Sequence, residues 1–258
     1  MTRVLIAEHD YAVYARLLGA AAPHLNVQTS GDPAELARLA ADCPVWLGQP
    51  DLFVNLLRTG ATPQWAQSTW AGITPLLKEG LPRGYRLTRA VGIFGQVMAE
   101  YMLTYMLGHE REVLARLVSQ VERKWDPRPG SSLAGRSVVI VGVGAIGQAV
   151  ASFLQPFGVT LHGVASSART LAPFAEVAPL AELGRLVAQA DYVINLLPDT
   201  PQTHDLFDAA MFKRFKPEAL FINAGRGVAV VDADLVEALK EGDLAGAVID
   251  VCRPEPLP

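Results

Sequence analysis

Cysteine is scarce in this chain of 258 residues: Cys43 and Cys252 are the two there are, far apart and without metal-ligand spacing. That excludes a disulfide-stapled scaffold and a zinc module, no metal is expected, and both thiols are expected reduced, as in the cytoplasm. Long apolar runs are missing as well. The longest, residues 138–147, has ten residues, three of them glycine, against the ~20 that a bilayer-spanning helix needs, so no membrane partner is expected. The amino terminus has one basic residue and meets charge at Glu8, which does not read as a secretory signal. A concentrated basic stripe is also lacking. With 22 Lys+Arg against 26 Asp+Glu and a formal charge of −4, the chain offers no electrostatic footprint for a phosphate backbone, and nucleic acid is not expected to bind. What is present is a core: half of the residues are hydrophobic and 19% are charged, the balance of a globular protein rather than a disordered one.

Length alone gives one to two domains. From the start, apolar runs at residues 4–7, 27 and 45–47 alternate with helical patterns at 11–18 and 33–40, which suggests βα units around a parallel sheet. Residues 65–70 read as a further buried strand and 73–77 as a helix, and the first domain is expected to close near 91–95. Apolar residues spaced by threes and fours from Met98 to Val121 predict one long helix over 96–124, ended by the two prolines and glycine of 125–132. A second sheet is then expected, with strands at 137–141, 160–164, 192–196, 220–223 and 247–251. No fixed-period repeat or low-complexity segment interrupts the pattern.

The strand 138–141 runs into Gly142-Val143-Gly144-Ala145-Ile146-Gly147 and then into a helical segment. This is the strand, turn and helix order of a dinucleotide fingerprint: the first glycine permits the tight turn, the second lets the backbone approach a pyrophosphate, the third lets helix meet strand, and the helix start attracts the anion. At the end of the next strand, Ala165 stands where an acid for the ribose hydroxyls is expected, followed by Ser166, Ser167 and Arg169. Hydroxyls and a positive charge suit a 2′-phosphate, so NADP(H) is preferred over NAD(H).

Ligands of doubly wound sheets lie beyond the carboxyl ends of the strands. After strand 220–222 comes Asn223-Ala224-Gly225-Arg226-Gly227, in which glycines on both sides would let Arg226 be held close to a ligand, its planar fork gripping a carboxylate. After 247–249 comes Asp250-Val251-Cys252-Arg253-Pro254-Glu255-Pro256, with one carboxylate at the strand end and Glu255 stiffened between two prolines.

These three motifs together resemble the D-isomer-specific 2-hydroxyacid dehydrogenases, and within them the glyoxylate/hydroxypyruvate reductase branch. Further matching stretches are Trp65-Ala66-Gln67-Ser68-Thr69-Trp70-Ala71-Gly72, Met98-Ala99-Glu100-Tyr101, Leu133-Ala134-Gly135-Arg136 and Leu196-Leu197-Pro198-Asp199-Thr200-Pro201-Gln202-Thr203. The resemblance implies two doubly wound parallel-sheet α/β domains with a cleft between them: a flavodoxin-like substrate domain over 1–94 and a Rossmann dinucleotide-binding domain over 95–258. It implies hydride transfer between NAD(P)H and the C2 carbonyl of a small 2-keto acid, in a homodimer. Arg226 would fix the carboxylate, the amides of Ala71 and Gly72 would hold its other oxygen, and Trp70 would wall the pocket. Asp250 would bind the nicotinamide carboxamide, while Leu197, Pro198, Thr203 and Ala224 would line the coenzyme groove.

In this family Glu255 would hold a charged histidine that protonates the developing alkoxide. The five histidines, His9, His24, His109, His162 and His204, all precede Glu255, and none matches the family's Pro-His motif. His204 reads as a solvated surface residue. The expectation is that the proton donor lies in a tail beyond Pro258, the alternative being a short chain that is catalytically crippled. Two other readings share the fold: a nucleotide-dependent interaction module of corepressor type, and a formate or phosphite dehydrogenase.

Overall fold

The computed structural model describes residues 1–255, and the chain divides into two units between Val91 and Gly92. The first unit runs β1 (Arg3–Ala7), α1 (Tyr11–Ala21), β2 (Asn26–Thr29), α2 (Pro33–Ala40), β3 (Val45–Gly48), α3 (Pro50–Arg58), β4 (Trp65–Ser68), a short 3-10 turn (Thr74–Leu77) and β5 (Arg86–Arg89). Its five strands are parallel, in the order β2-β1-β3-β4-β5. That is the flavodoxin-like order, whose switch point lies between β1 and β3. Local chemistry starts the helices: Asp32 accepts from the amides of Ala34 and Glu35 ahead of α2, and Pro33 and Pro50 occupy first turns where a missing N–H costs nothing. Leu5, Trp46, Phe53, Leu56 and Leu57 close the core between strands and helices.

The second unit runs α4 (Gly95–Glu110), α5 (Val113–Val121), β6 (Ser137–Val141), α6 (Ala145–Leu154), β7 (Thr160–Ala165), β8 (Glu176–Pro179), α7 (Leu183–Val187), β9 (Tyr192–Asn195), α8 (Ala209–Phe212), β10 (Leu220–Asn223), α9 (Asp232–Glu241) and β11 (Gly246–Ile249). The parallel order β11-β10-β9-β6-β7-β8, read from the other edge, is the 3-2-1-4-5-6 order of dinucleotide-binding sheets. The central strands are buried on both faces, as a parallel sheet covered by helices requires. Alternate residues serve opposite layers: Val139 and Val141 pack with Phe207, Phe212 and Phe221, while Val138 and Ile140 pack with Val150, Leu154 and the α4 residues Ala99, Met102 and Met106.

Several expectations need correction. The single helix expected over 96–124 is two helices, parted where Glu112 takes the left-handed conformation at φ 51°. No glycine or proline stands there. Glu110, just before the break, is held instead by partners distant in sequence: it is 4% exposed and accepts from Arg136 Nε and Nη2 (2.8 and 2.9 Å) and from the Tyr192 hydroxyl (2.7 Å). Burial first, and then the neighbouring Glu110 carboxylate, push the Tyr192 hydroxyl far above its ordinary pKa, so it stays a donor. Arg116 Nε caps the freed Arg111 carbonyl at 3.0 Å. The apolar stripe of α5 is not core, and Leu114, Leu117, Val118 and Val121 are exposed.

Where a helix was expected over 73–77, Thr74–Leu77 form a 3-10 turn, and the buried strand expected over 65–70 ends at Ser68 with Trp65 and Trp70 both exposed. The sequence reading passed over α3, β5 and β8. Both cysteines are free, Cys43 inside the core of the first unit. No helix among the described residues is long and apolar enough to cross a membrane.

Candidate functional site

The glycine turn sits at the switch point of the second sheet, between β6 and β9, and its three glycines differ in what surrounds them. Gly142 has φ 109°, and a Cβ there would lie 2.9 Å from the backbone of Leu196. At Gly147 a Cβ would come within 2.2 Å of the Gly142 carbonyl, so α6 can approach β6 this closely only without a side chain. Gly144 is the opposite case, because a Cβ there would meet no atom within 4 Å. That open space faces the start of α6, which has no side-chain cap, and the amides of Ala145 and Ile146 find no acceptor among the described residues. Free amides, the positive end of a helix and room beside Gly144 fit a pyrophosphate. Since Gly144 has an ordinary φ of −76°, Gly144→Val fills the opening without backbone strain. We expect it to raise the Kd for NADPH, read by quenching of protein fluorescence, about tenfold or more, with an unchanged thermal midpoint; an unaltered Kd would remove the turn from the coenzyme site.

Ser166 and Ser167 follow β7, exposed and without side-chain partners among the described residues. Arg169 folds back on the turn, with Nη2 donating to the Val143 carbonyl (3.3 Å) while its backbone N–H bonds Val177 (3.2 Å). A recess of 540 Å³ opens beside it, lined by Thr170, Leu171, Phe174 and Val177.

Two buried asparagines organise the neighbouring loops, and the sequence reading missed them as a pair. Asn195 and Asn223, 0% and 1% exposed, are the last residues of the adjacent strands β9 and β10, in Tyr-Val-Ile-Asn and Leu-Phe-Ile-Asn. That repetition was the available signal. Asn195 Nδ2 donates to Asn223 Oδ1 (2.9 Å), and Asn195 Oδ1 accepts from Leu197 N (3.2 Å). Asn223 Oδ1 also accepts from Gly225 N (3.3 Å), and its Nδ2 donates to the carbonyls of Arg226 (3.4 Å) and Val251 (3.3 Å). The loops that carry Leu197, Ala224, Arg226 and Asp250 are thus tied to one pair of side chains. Thr203, buried, spends its hydroxyl on its own loop, accepting from Thr200 N (3.0 Å) and donating to the Pro198 carbonyl (2.7 Å). His204 pairs with Asp199 at 2.6 Å on the surface of that loop.

The glycines beside Arg226 serve a purpose other than the one expected. A Cβ at Gly225 would stand 2.8 Å from the Leu197 carbonyl, and one at Gly227 2.1 Å from the Cys252 carbonyl, so they admit neighbouring backbone rather than a ligand. Between them Arg226 is extended and half-buried, its Nη1 on the Gly225 carbonyl at 2.6 Å. No carboxylate among the described residues lies within ion-pair distance of it. A half-buried guanidinium without an anion is an unfilled electrostatic demand.

Asp250 is exposed beyond β11 and its amide bonds Asn223 O at 3.0 Å. Burial, then the charge of the nearby Asp250 carboxylate, push the Tyr101 hydroxyl up to about 12. Glu255 turns back on its own segment, where Oε1 accepts from Cys252 N at 3.1 Å, and no histidine of the second unit pairs with it. In the first unit, Trp70, Ala71 and Gly72 follow β4 at the carboxyl edge of the sheet. The amides of Ala71 and Gly72 donate to no protein acceptor among the described residues.

A family model described as the D-isomer specific 2-hydroxyacid dehydrogenase, NAD binding domain, matches residues 103–258. The chain belongs to the D-isomer-specific 2-hydroxyacid dehydrogenases. A member of this family from Aeromonas salmonicida superposes with a TM-score of 0.94 at 38% identity, over all of this chain and 83% of that one. The NADPH-dependent glyoxylate/hydroxypyruvate reductase of Sinorhizobium meliloti, solved with NADP and sulfate, superposes with a TM-score of 0.86 at 30% identity, over 100% of this chain and 83% of that one. Among curated dehydrogenases of the family, glyoxylate/hydroxypyruvate reductase A of Serratia proteamaculans is 31% identical over 195 residues, 73% of this chain and 62% of that enzyme.

Proposed function

We propose that the protein reduces a small 2-keto acid of the glyoxylate or hydroxypyruvate kind to the 2-hydroxy acid, using NADPH in preference to NADH. The observation that carries this reading is Arg226, a guanidinium without an anion, fixed by Asn223 on a loop that packs against Leu197, itself beside the glycine turn. When bound, reduced nicotinamide would supply the hydride that C2 of the keto acid accepts, and the alkoxide oxygen so formed takes its proton from solvent. Arg226 grips the substrate carboxylate and draws charge towards the carbonyl oxygen, the amides of Ala71 and Gly72 take the other carboxylate oxygen, and Trp70 walls the apolar side. Asp250 accepts from the nicotinamide carboxamide, and Leu197, Pro198, Thr203 and Ala224 line the groove in which the ring lies. Holding both reactants in one geometry supplies most of the acceleration, because the hydride needs no protein group to carry it. Glu255 has the place of a carboxylate that would keep an imidazole charged, and with no imidazole of the second unit beside it no proton transfer is assigned to it. The names of the Sinorhizobium and Serratia relatives support the substrate class.

Oxidation of NADPH on addition of glyoxylate, followed at 340 nm, tests this reading; no rate above blank across several 2-keto acids would refute it. For the coenzyme preference, Ser166, Ser167 and Arg169 are the 2′-phosphate ligands. Loss of a charge-assisted hydrogen bond is worth about 1.5–3 kcal/mol, so Arg169→Met is expected to weaken NADPH about ten- to a hundredfold and leave NADH within about twofold. Equal losses for both coenzymes would show that Arg169 supports the turn instead. We also propose a cytoplasmic homodimer, a reading that the two free thiols and the exposed apolar face of α5 support.

A further inference from the structure

The loop after β4 can be accounted for group by group, and the accounting singles out Arg89. Trp70 N–H donates to Ser68 Oγ at 3.0 Å. The Trp70 carbonyl accepts from Ser68 Oγ (3.1 Å) and from Ala90 N (3.3 Å). The Ala71 carbonyl accepts from Arg89 Nη1 at 2.7 Å. Ser68, which holds the start of the loop, is fully buried and pairs in register with Arg89 across β4 and β5. Left without a protein partner over residues 70–72 are the Gly72 carbonyl, the exposed Trp70 indole N–H and two consecutive backbone donors, the amides of Ala71 and Gly72, which have no acceptor among the described residues. Two adjacent backbone donors left unpaired call for a ligand or solvent.

Peptide geometry says where those donors point. In a trans peptide the C=O and the N–H lie in one plane and face opposite ways, and the cis bonds of the described residues lie elsewhere. Fixing the Trp70 carbonyl on Ala90 therefore turns the Ala71 N–H away from the end of β5, and fixing the Ala71 carbonyl on Arg89 turns the Gly72 N–H away from it as well. A charged donor on a carbonyl also polarises the peptide and strengthens its N–H as a donor. An arginine at an exposed strand end is ordinarily solvated; this one is engaged on the backbone.

We propose that Arg89 is a positioning residue, which fixes the peptide between Ala71 and Gly72 from behind so that both amides are aimed at a carboxylate it does not itself touch. This rests on the reading of those amides as holders of the substrate carboxylate and adds the group that aims them. The consequence is that Arg89 acts on anion affinity by orientation, not by long-range attraction.

The probe is oxalate, an unreactive stand-in for a 2-keto acid, titrated calorimetrically into the NADPH-loaded protein. Arg89 reaches the ligand only through the peptide it orients, so part of the roughly ten- to hundredfold worth of a charge-assisted hydrogen bond is passed on, a rise of about three- to tenfold in oxalate Kd for Arg89→Met, with most of the affinity restored in Arg89→Lys. The ratio between variant and parent is expected to persist in ~0.5 M KCl, where charges at a distance are screened, and the Kd for NADPH and the thermal midpoint are expected to stay as in the parent. Gly72→Pro, which deletes one amide, is the companion variant and should raise the oxalate Kd as well. An unchanged Kd in Arg89→Met alongside a raised one in Gly72→Pro overturns the proposal and leaves the amide seat standing. A loss that disappears in salt overturns it in favour of simple attraction, and a loss shared by NADPH and the thermal midpoint overturns it in favour of general stability. Failure of the parent to bind oxalate, or an unchanged Kd in both variants, refutes the amide reading itself.

Discussion

Arg226→Gln is expected to lower kcat/KM for glyoxylate by about 10²–10³-fold, the range seen when one preorganised donor to a developing oxyanion is removed. The substitution removes the charge and the planar fork and leaves the backbone carbonyl of residue 226 on Asn223 Nδ2, so the loop keeps its hold while the carboxylate loses its partner. Steady-state rates with NADPH, set beside NADPH binding to the same variant, give the check. The coenzyme Kd should move less than twofold because Arg226 is assigned to the keto acid alone. A fall in rate that is matched by an equal fall in coenzyme affinity would place the guanidinium in the nucleotide site, and a fall of under threefold would take it out of the chemistry.

The largest effect on stability is expected far from that chemistry. Glu110→Ala leaves Arg136 without its bidentate acceptor and Tyr192 with only the longer bond of its hydroxyl, to the Met106 carbonyl at 3.4 Å, both at the seam between α4 and the start of β6 and β9. The charge left behind, on Arg136, is more than a third exposed and regains water, so the loss is that of the hydrogen bonds to a charged group, about 1.5–3 kcal/mol, which for a chain of this size is a drop of roughly 5 °C in the thermal midpoint. Glu110→Gln, which keeps an acceptor of nearly the same shape, should recover part of the loss. Thermal unfolding followed by circular dichroism reads both, and a shift under about 2 °C for the alanine variant would show that the carboxylate contributes nothing net.

Much of the architecture was legible where local chemistry and tertiary demand agree. Helix α2 announces itself through Asp32 and Pro33, and β6 through four consecutive apolar residues ahead of the glycine turn. The break at Glu112 was not legible, since nothing in the sequence near residue 112 would stop a helix, and the pairing that anchors the end of α4 joins Glu110 to Arg136, 26 residues further on. Strand β5 reads Arg-Leu-Thr-Arg, an edge strand with both ends exposed, too polar to register as apolar alternation. At the site the residue types were readable and their reasons were not. Arg226 stood out because glycines flank it, yet the crowding that requires those glycines comes from Leu197 and Cys252, whose approach depends on how β9 and β11 lie beside β10. Arg89 gave no signal at all, because its partner is a carbonyl eighteen positions away across two strands.

The two amide side chains joined across the tips of β9 and β10 have an effect beyond holding loops in place. Because the segments assigned to coenzyme and to keto acid hang from a single knot, whichever molecule arrives first quiets the backbone that the second must use and spares it part of the entropy of ordering. Affinities for the two would then rise and fall together, by reciprocal amounts, without any larger rearrangement of the sheet.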